Sequence, residues 1–319
     1  MAHMVDTMAY AGELPWHGLG TEVSNDLTPV QMMDKAGVNW KVHELPSFVT
    51  LDGEQISTGQ KSLVRSDNKA ILTNVGPNWN PCQNEDAFDF FNDFVMAGDM
   101  EMHTAGALNE GKIVWCLAKI KESFDVVKGD QVDSYLLFSN PHQYGKSIDV
   151  RFTPIRVVCN NTLTLSLKGK ANNGVKVGHR VKFDANQVKT QLGIASDKFA
   201  KYKEMAQFLH GKNTTLSDLL EYYDTVFPST SRKDEPKKEV KKVEDLSRNG
   251  QLAYEVLEKQ PGANLANGTW WNAFNSVTFV TDHLYGQNEN NRLHSQWYGQ
   301  NQVRKVTAAN KAVEMANAA

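Results

Sequence analysis

Residues 100–121, MEMHTAGALNEGKIVWCLAKIK, decide the fold. Two strand-like runs, Met100–Leu108 and Lys112–Lys121, flank Asn109-Glu110-Gly111, a tight-turn composition, so the segment predicts a β-hairpin. In its second strand Ile113-Val114-Trp115-Cys116-Leu117-Ala118 is apolar at successive positions. Such a run needs burial on both faces, which makes it a central strand. Ser134–Ser139 and Ser147–Thr153 read as further strands, giving a largely antiparallel sheet.

Towards the N-terminus, Leu45–Val49 and Lys61–Arg65 are strand fragments. Ser66-Asp67-Asn68-Lys69 supplies turn chemistry before a strand at Ala70–Val75, a second hairpin. Asn84 is positioned to cap a helix over Glu85–Ala97, where Phe88, Phe91, Phe94 and Val95 recur at helical spacing and Gly98 ends the run. Towards the C-terminus, Arg156–Leu163 is expected to pass from extended chain into a short helix capped by Asn160 or Asn161. Gly169–Gly178, with three glycines, two asparagines and adjacent lysines, reads as a mobile basic loop. A single long helix is expected over 185–210, where Val188, Leu192, Ala195, Phe199, Tyr202, Ala206 and Leu209 form one stripe. That stripe calls for cover from the domain's own sheet or from a second subunit.

Residues 228–248 carry both signs of charge and almost no large apolar group, the composition of an exposed linker. The expected organisation is therefore an α+β main domain at 1–227, the linker at 228–248, and a mainly helical region at 249–319. The main domain has its helices on one face of the sheet. The last part should contain a helix near Leu246–Gln260, a break at Pro261-Gly262, an aromatic segment at Trp270–Thr278, and a helix over Gln302–Ala316.

A chain of 319 residues, 40% hydrophobic, can bury substantial cores. No apolar run is long enough to span a bilayer, and the first residues have neither a basic nor an apolar leader segment, so a cytoplasmic setting without a membrane is expected. Cys82, Cys116 and Cys159 have neither disulfide-framework nor zinc-site spacing, consistent with a reducing compartment. The charge is uneven along the chain. Residues 1–100 carry 14 acidic against 5 basic side chains, whereas residues 166–212 carry 10 basic against 3 acidic. Such a basic segment can meet phosphate, or it can meet the acidic part of the same chain or of a neighbour.

Phosphate-loop, nucleophile-elbow and helical zinc-protease motifs are all missing, and the nine histidines show no ligand spacing, so no cofactor or metal is expected. One polar group, His103, Asp133, His142, Arg151 and Arg156, lies in or beside adjacent predicted strands, where side chains could converge. A single-strand binder needs positive charge for phosphates and flat side chains for bases. Lys168, Lys170, Lys176, Arg180 and Lys182, with Arg151 and Arg156, supply the first. Trp79, Trp115, Tyr144, Phe152 and Phe183 are candidates for the second, although Trp115 lies in the apolar strand and is expected in the core.

Several stretches taken together resemble the phage/plasmid-like protein family, domain of unknown function 932. They are Pro15–Thr21, Asn80–Phe88, Thr104–Leu108 with Gly111–Leu117, Tyr135–Leu137, Thr153–Leu163, Asn275–Thr278 and His294–Gly299. The resemblance implies a phage or mobile-element setting and supplies no catalytic residue. The order of elements, strands followed by a helix and basic segments, is more distantly similar to phage single-strand annealing proteins of the Red-beta, Erf and Rad types. Those form rings or filaments on single-stranded DNA without a cofactor. Two expectations follow: a single-stranded DNA-binding, annealing homo-oligomer, or a non-enzymatic protein that binds a host or phage factor through its acidic front or its aromatic tail.

Overall fold

The computed structural model describes residues 4–12, 18–156, 161–162, 174–192, 196–229, 240–285, 295–297 and 299–318. The fold is α+β. The chain forms two compact units, neither continuous in sequence. Unit 1 comprises Met1–Lys121, Tyr135–Phe152 and Gly174–Ile194; unit 2 comprises Glu122–Ser134, Thr153–Asn173 and Ala195–Ala319.

In chain order the strands are β1 (Val5–Ala11), β2 (Thr21–Val23), β3 (Val42–Leu51), β4 (Glu54–Arg65), β5 (Ile71–Val75), β6 (Met100–Leu108), β7 (Ile113–Asp125), β8 (Gln131–Pro141), β9 (Ile148–Arg156), β10 (Asn161–Thr162) and β11 (Gly174–Val177). The larger sheet runs β10-β9-β8-β7-β6-β1-β2, with β11 also paired to β9, and a separate sheet runs β3-β4-β5. β1 and β2 are parallel; β1–β6, β6–β7, β9–β10 and β9–β11 are antiparallel.

The β6–β7 hairpin forms as expected, with Asn109, Glu110 and Gly111 all at positive φ. Ile113–Ala118 is buried throughout, so β7 is the central strand its apolar run demanded. Where β1 crosses β6, a Cβ on Gly106 would lie 2.3 Å from the Thr7 carbonyl oxygen and 2.4 Å from the Trp115 ring. Only glycine lets these three strands close.

Unit 1 also contains α1 (Pro29–Lys35), α2 (Asn84–Asp89), α3 (Asn92–Met96) and α4 (Ala185–Leu192). The helix expected over 85–97 is broken in two, and its cap is Gln83 rather than Asn84. Phe90 and Phe91, both buried, each reach Phe138, at 5.4 Å and 6.4 Å between ring centroids. The stripe of 185–210 is likewise divided between two helices, α4 and α5 (Ser196–His210). Val188 and Leu192 belong to the core of unit 1, while Tyr202, Ala206 and Leu209 are buried in unit 2.

β3 and β4 form a long two-stranded arm closed by Asp52-Gly53, both at positive φ as a two-residue hairpin turn requires. β5 pairs only with the base of this arm, at Lys61–Val64. Beyond that point Phe48, Val49, Leu51 and Ile56 are 46–61% exposed.

Unit 2 is built around α8 (Trp270–Phe279), which packs on α5, α7 (Arg248–Glu255) and α9 (Gln300–Ala318); α6 (Leu216–Val226) packs on α7 and α9. The aromatic segment expected as a docking tail is instead this helix. Trp270, Trp271 and Phe274 are 0% exposed, which removes them from any partner surface. Two polar groups of α8 find buried partners: Trp271 Nε1 donates to Asp130 Oδ2 at 2.9 Å, and Ser276 Oγ lies 2.7 Å from the Tyr223 hydroxyl. α8 continues into a π-helical turn, Val280–Leu284. There Asp282 pairs with Lys305 at 2.9 Å, both side chains 0% exposed, and Asn301 Nδ2 donates to the Thr281 carbonyl at 2.8 Å. Of the segments expected to be irregular or helical, Asn161–Thr162 and Gly174–Val177 are strands. The remaining parts at 157–160 and 163–173, and 230–239 of the linker, lie outside the described residues.

Gly106→Ala should cost about 1–3 kcal/mol of stability, because the added methyl meets backbone that cannot rotate away. Urea unfolding measures it; a wild-type midpoint would mean that β1 can shift outward. In unit 2, Lys305→Met or Asp282→Leu alone should cost about 3–5 kcal/mol by stranding the other charge, and the double variant should cost less than either single one.

Candidate nucleic-acid interface

β11 exists because Gly174 has no side chain: a Cβ there would sit 2.2 Å from the Val150 carbonyl oxygen. Val175 faces the core and Lys176 is exposed, the alternation of a half-buried edge strand. Val177 pairs with Ile148, and the strands are antiparallel. The turn before β9 and the segment after β11 therefore leave the same end of the sheet. The first carries Tyr144, 71% exposed, and the exposed Lys146; the second carries the exposed Arg180 and Lys182, with Val181 60% exposed between them. Lys176, Arg180 and Lys182 make no ion pair with a described residue.

His179 anchors the second segment. The Asn80 N–H donates to the His179 carbonyl at 2.7 Å, and His179 Nδ1–H donates back to the Asn80 carbonyl at 3.0 Å. The imidazole also stacks on Trp79, 3.9 Å between centroids. Beside it His142 is fully enclosed: its Nε2–H donates to Asn84 Oδ1 at 2.8 Å, while Asn84 Nδ2 donates to the Val38 and Trp40 carbonyls. Asn140 Nδ2 donates to the Cys82 carbonyl at 2.9 Å. Burial, with smaller effects from His179 and Arg65, pushes His142 down to about 3. Burial also lowers His179, against the two carbonyls that favour its protonation. Burial therefore favours the neutral form of both imidazoles, which serve as hydrogen-bonded struts. Burial raises the Cys82 and Cys116 thiols, so neither is an activated nucleophile.

Of the seven residues singled out by charge, Lys176, Arg180 and Lys182 are exposed on unit 1. Arg151 is mostly buried in an ion pair with Asp149, which neutralises it and removes it from the set available to phosphate. Lys168 and Lys170 lie outside the described residues, and Arg156 is placed only as backbone in β9. In the polar group on the strands, His103 sits edge-on to Tyr135, Asp133 accepts from Gln131, and His142 and Arg151 have the partners named above. Among the described residues no cluster of three His, Cys, Asp or Glu side chains is placed to hold a metal. Among the five candidate stacking aromatics, Trp79 and Trp115 are buried and Phe152 and Phe183 pack against the core, leaving Tyr144 as the exposed ring. Lys146 was not anticipated; its signal is Tyr144-Gly145-Lys146, a turn with Gly145 at φ 77°.

Because both histidines are held below the free value of 6.5, the folded chain binds fewer protons than the unfolded chain. The stability that these two groups contribute is therefore complete above pH 6.5 and declines as the pH falls through the range below it. His142 alone should contribute a slope of up to about 1.4 kcal/mol per pH unit, and urea midpoints between about pH 7 and 5 measure it. His142→Gln should flatten that dependence. An unchanged slope would show that His142 can protonate without leaving its niche.

No helix among the described residues is long and apolar enough to cross a membrane. No curated protein and no solved structure matches the chain. The model of one family, described as a domain of unknown function, DUF932, matches residues 71–317, more than three quarters of the chain and including Tyr144, Lys146, Lys176, Arg180 and Lys182. On that match, the chain belongs to the DUF932 family.

Proposed function

We propose that unit 1 binds single-stranded DNA, in a phage or mobile-element setting within the bacterial cytoplasm, where it anneals or protects strands during recombination or replication. The observation that carries this reading is the juxtaposition at one end of the sheet of an exposed ring, Tyr144, with Lys146, Arg180 and Lys182. Phosphates would meet the three cations, and Lys176 on the adjoining strand would extend the track. A base would stack on Tyr144. Stacking needs an unpaired base whereas phosphate attraction does not, so the ring is what would favour a single strand over a duplex. The His179–Asn80 clasp supports the reading by fixing the backbone from which Arg180 and Lys182 extend. The buried thiols Cys82 and Cys116 fit a reducing compartment.

Titration of the purified chain with fluorescent single-stranded and duplex DNA at two salt concentrations tests this. Four phosphate contacts predict a log-log salt slope of about −3 for a single strand. Tyr144→Ala should weaken single-strand binding by about ten-fold without changing that slope. Lys146/Arg180/Lys182→Ala should weaken it further and reduce the slope to about −1. No binding at low salt, or binding untouched by both variants, overturns the assignment.

A further inference from the structure

The tip of the β3–β4 arm and the surface around Tyr144 both belong to unit 1 and are opposite in charge. In the arm Val49 stands across from Ile56 and Leu51 across from Glu54, so these four side chains share one face of the ribbon, while Phe48 lies on the other. Val49, Leu51 and Ile56 are 46–61% exposed. Asp52 and Glu54, both exposed, are the only charges from Ser47 to Gln60, and neither is paired with a described residue. A two-stranded ribbon is marginal in water without further cover. Past the reach of β5 this one is buried on neither face.

At the end of the larger sheet, Tyr144 and Val181, 71% and 60% exposed, stand among the exposed Lys146, Lys176, Arg180 and Lys182. The acids nearest them in sequence are already engaged: Asp149 pairs with Arg151, and Asp184 accepts from the Asn186 and Gln187 N–H groups at the start of α4. Val181 has no part in the nucleic-acid reading. Phosphates call for cations and bases for a flat ring, and a branched aliphatic side chain between two cations supplies neither. It does suit the apolar face of a protein partner whose rim is acidic.

We infer that the arm tip of one copy of this chain docks on the Tyr144–Val181 surface of a second copy, setting Val49, Leu51 and Ile56 against the two apolar side chains and Asp52 and Glu54 among the cations. Charge complementarity names the occupant: one chain carries two unpaired carboxylates beside three bare aliphatics and, elsewhere on the same unit, four cations beside a bare ring and a bare valine. In its own chain the tip is exposed, so the arm it displays is free for another copy. The contact joins two different surfaces and so is heterologous. Its carboxylates stand where phosphates would, so a single strand would displace the arm; this competition, unlike the contact itself, rests on the nucleic-acid reading.

Sedimentation of the full chain over a concentration series tests the inference, with thermal melts confirming that each variant folds. Wild type should associate as concentration rises, and less so at high salt. The arm variant Val49→Ser/Ile56→Ser should weaken association about ten-fold through lost apolar burial. The surface variant Val181→Glu should weaken it at least as much, since it also sets a carboxylate against Asp52 and Glu54. Mixing the two variants should recover association well above either alone, because one brings an intact surface and the other an intact arm. A single-stranded oligonucleotide too short to bridge two copies should disperse wild type; if it does not bind, the nucleic-acid reading fails while the mixing result still upholds the arm contact. Any one of three results overturns the inference: a wild-type chain that stays monomeric at about 100 µM, association indifferent to either variant, or a mixture no stronger than its parts.

Discussion

Burial of β7 on both faces is the constraint on which unit 1 depends. A strand with Ile113, Val114, Trp115, Cys116, Leu117 and Ala118 all withdrawn from water must have neighbours on each edge and cover above and below. β6 and β8 supply the edges. The indole of Trp115 leans against Gly106, and β1 can cross β6 there only because that position lacks a side chain. The core that includes β7 also takes in Phe88, Phe90 and Phe91, the last two lying in the break between α2 and α3.

The same core reaches the candidate interface through polar links. Asn84, whose helix is packed into the core, holds the Val38 and Trp40 carbonyls with its amide nitrogen and His142 with its amide oxygen. His142 sits just ahead of the turn bearing Tyr144 and Lys146. His179, on its stack with Trp79, holds the segment bearing Arg180 and Lys182. Two neutral imidazoles thus fix the roots of both loops, and only the tips are left to solvent. Such an arrangement anchors the backbone from which the exposed Lys146, Arg180 and Lys182 extend.

Much of this was legible in the sequence where a local rule and the tertiary outcome coincide. The strands β6 to β9, the turn at Asn109–Gly111 and the Ala-rich α9 fall where apolar runs, turn residues and helix propensity place them. Other elements depended on facts that periodicity does not carry. The 185–210 stripe reports one apolar face but not that two different cores would divide it. The Trp270–Thr278 run reports hydrophobicity but not the helices that would enclose it. Of the arm only the fragments Leu45–Val49 and Lys61–Arg65 were legible as strand, because alternation marks half-buried strands and the arm's outer part is buried on neither face. At the candidate site, charge alone located Lys176, Arg180 and Lys182. Exposure, which separates Tyr144 from Trp79, is a property of the fold. Arg151 is the instructive case: Asp149 is two residues away, on the same face of the same strand, so its neutralising partner could have been read directly.

The buried thiols of unit 1 have a practical consequence. Cys82 and Cys116 lie in one core, enclosed and held in the unreactive protonated form. Their sulfur atoms can meet an alkylating reagent only when that core opens. The rate of labelling at these two positions is therefore a native clock for the breathing of the half of the molecule that carries the candidate interface, and it needs no introduced cysteine.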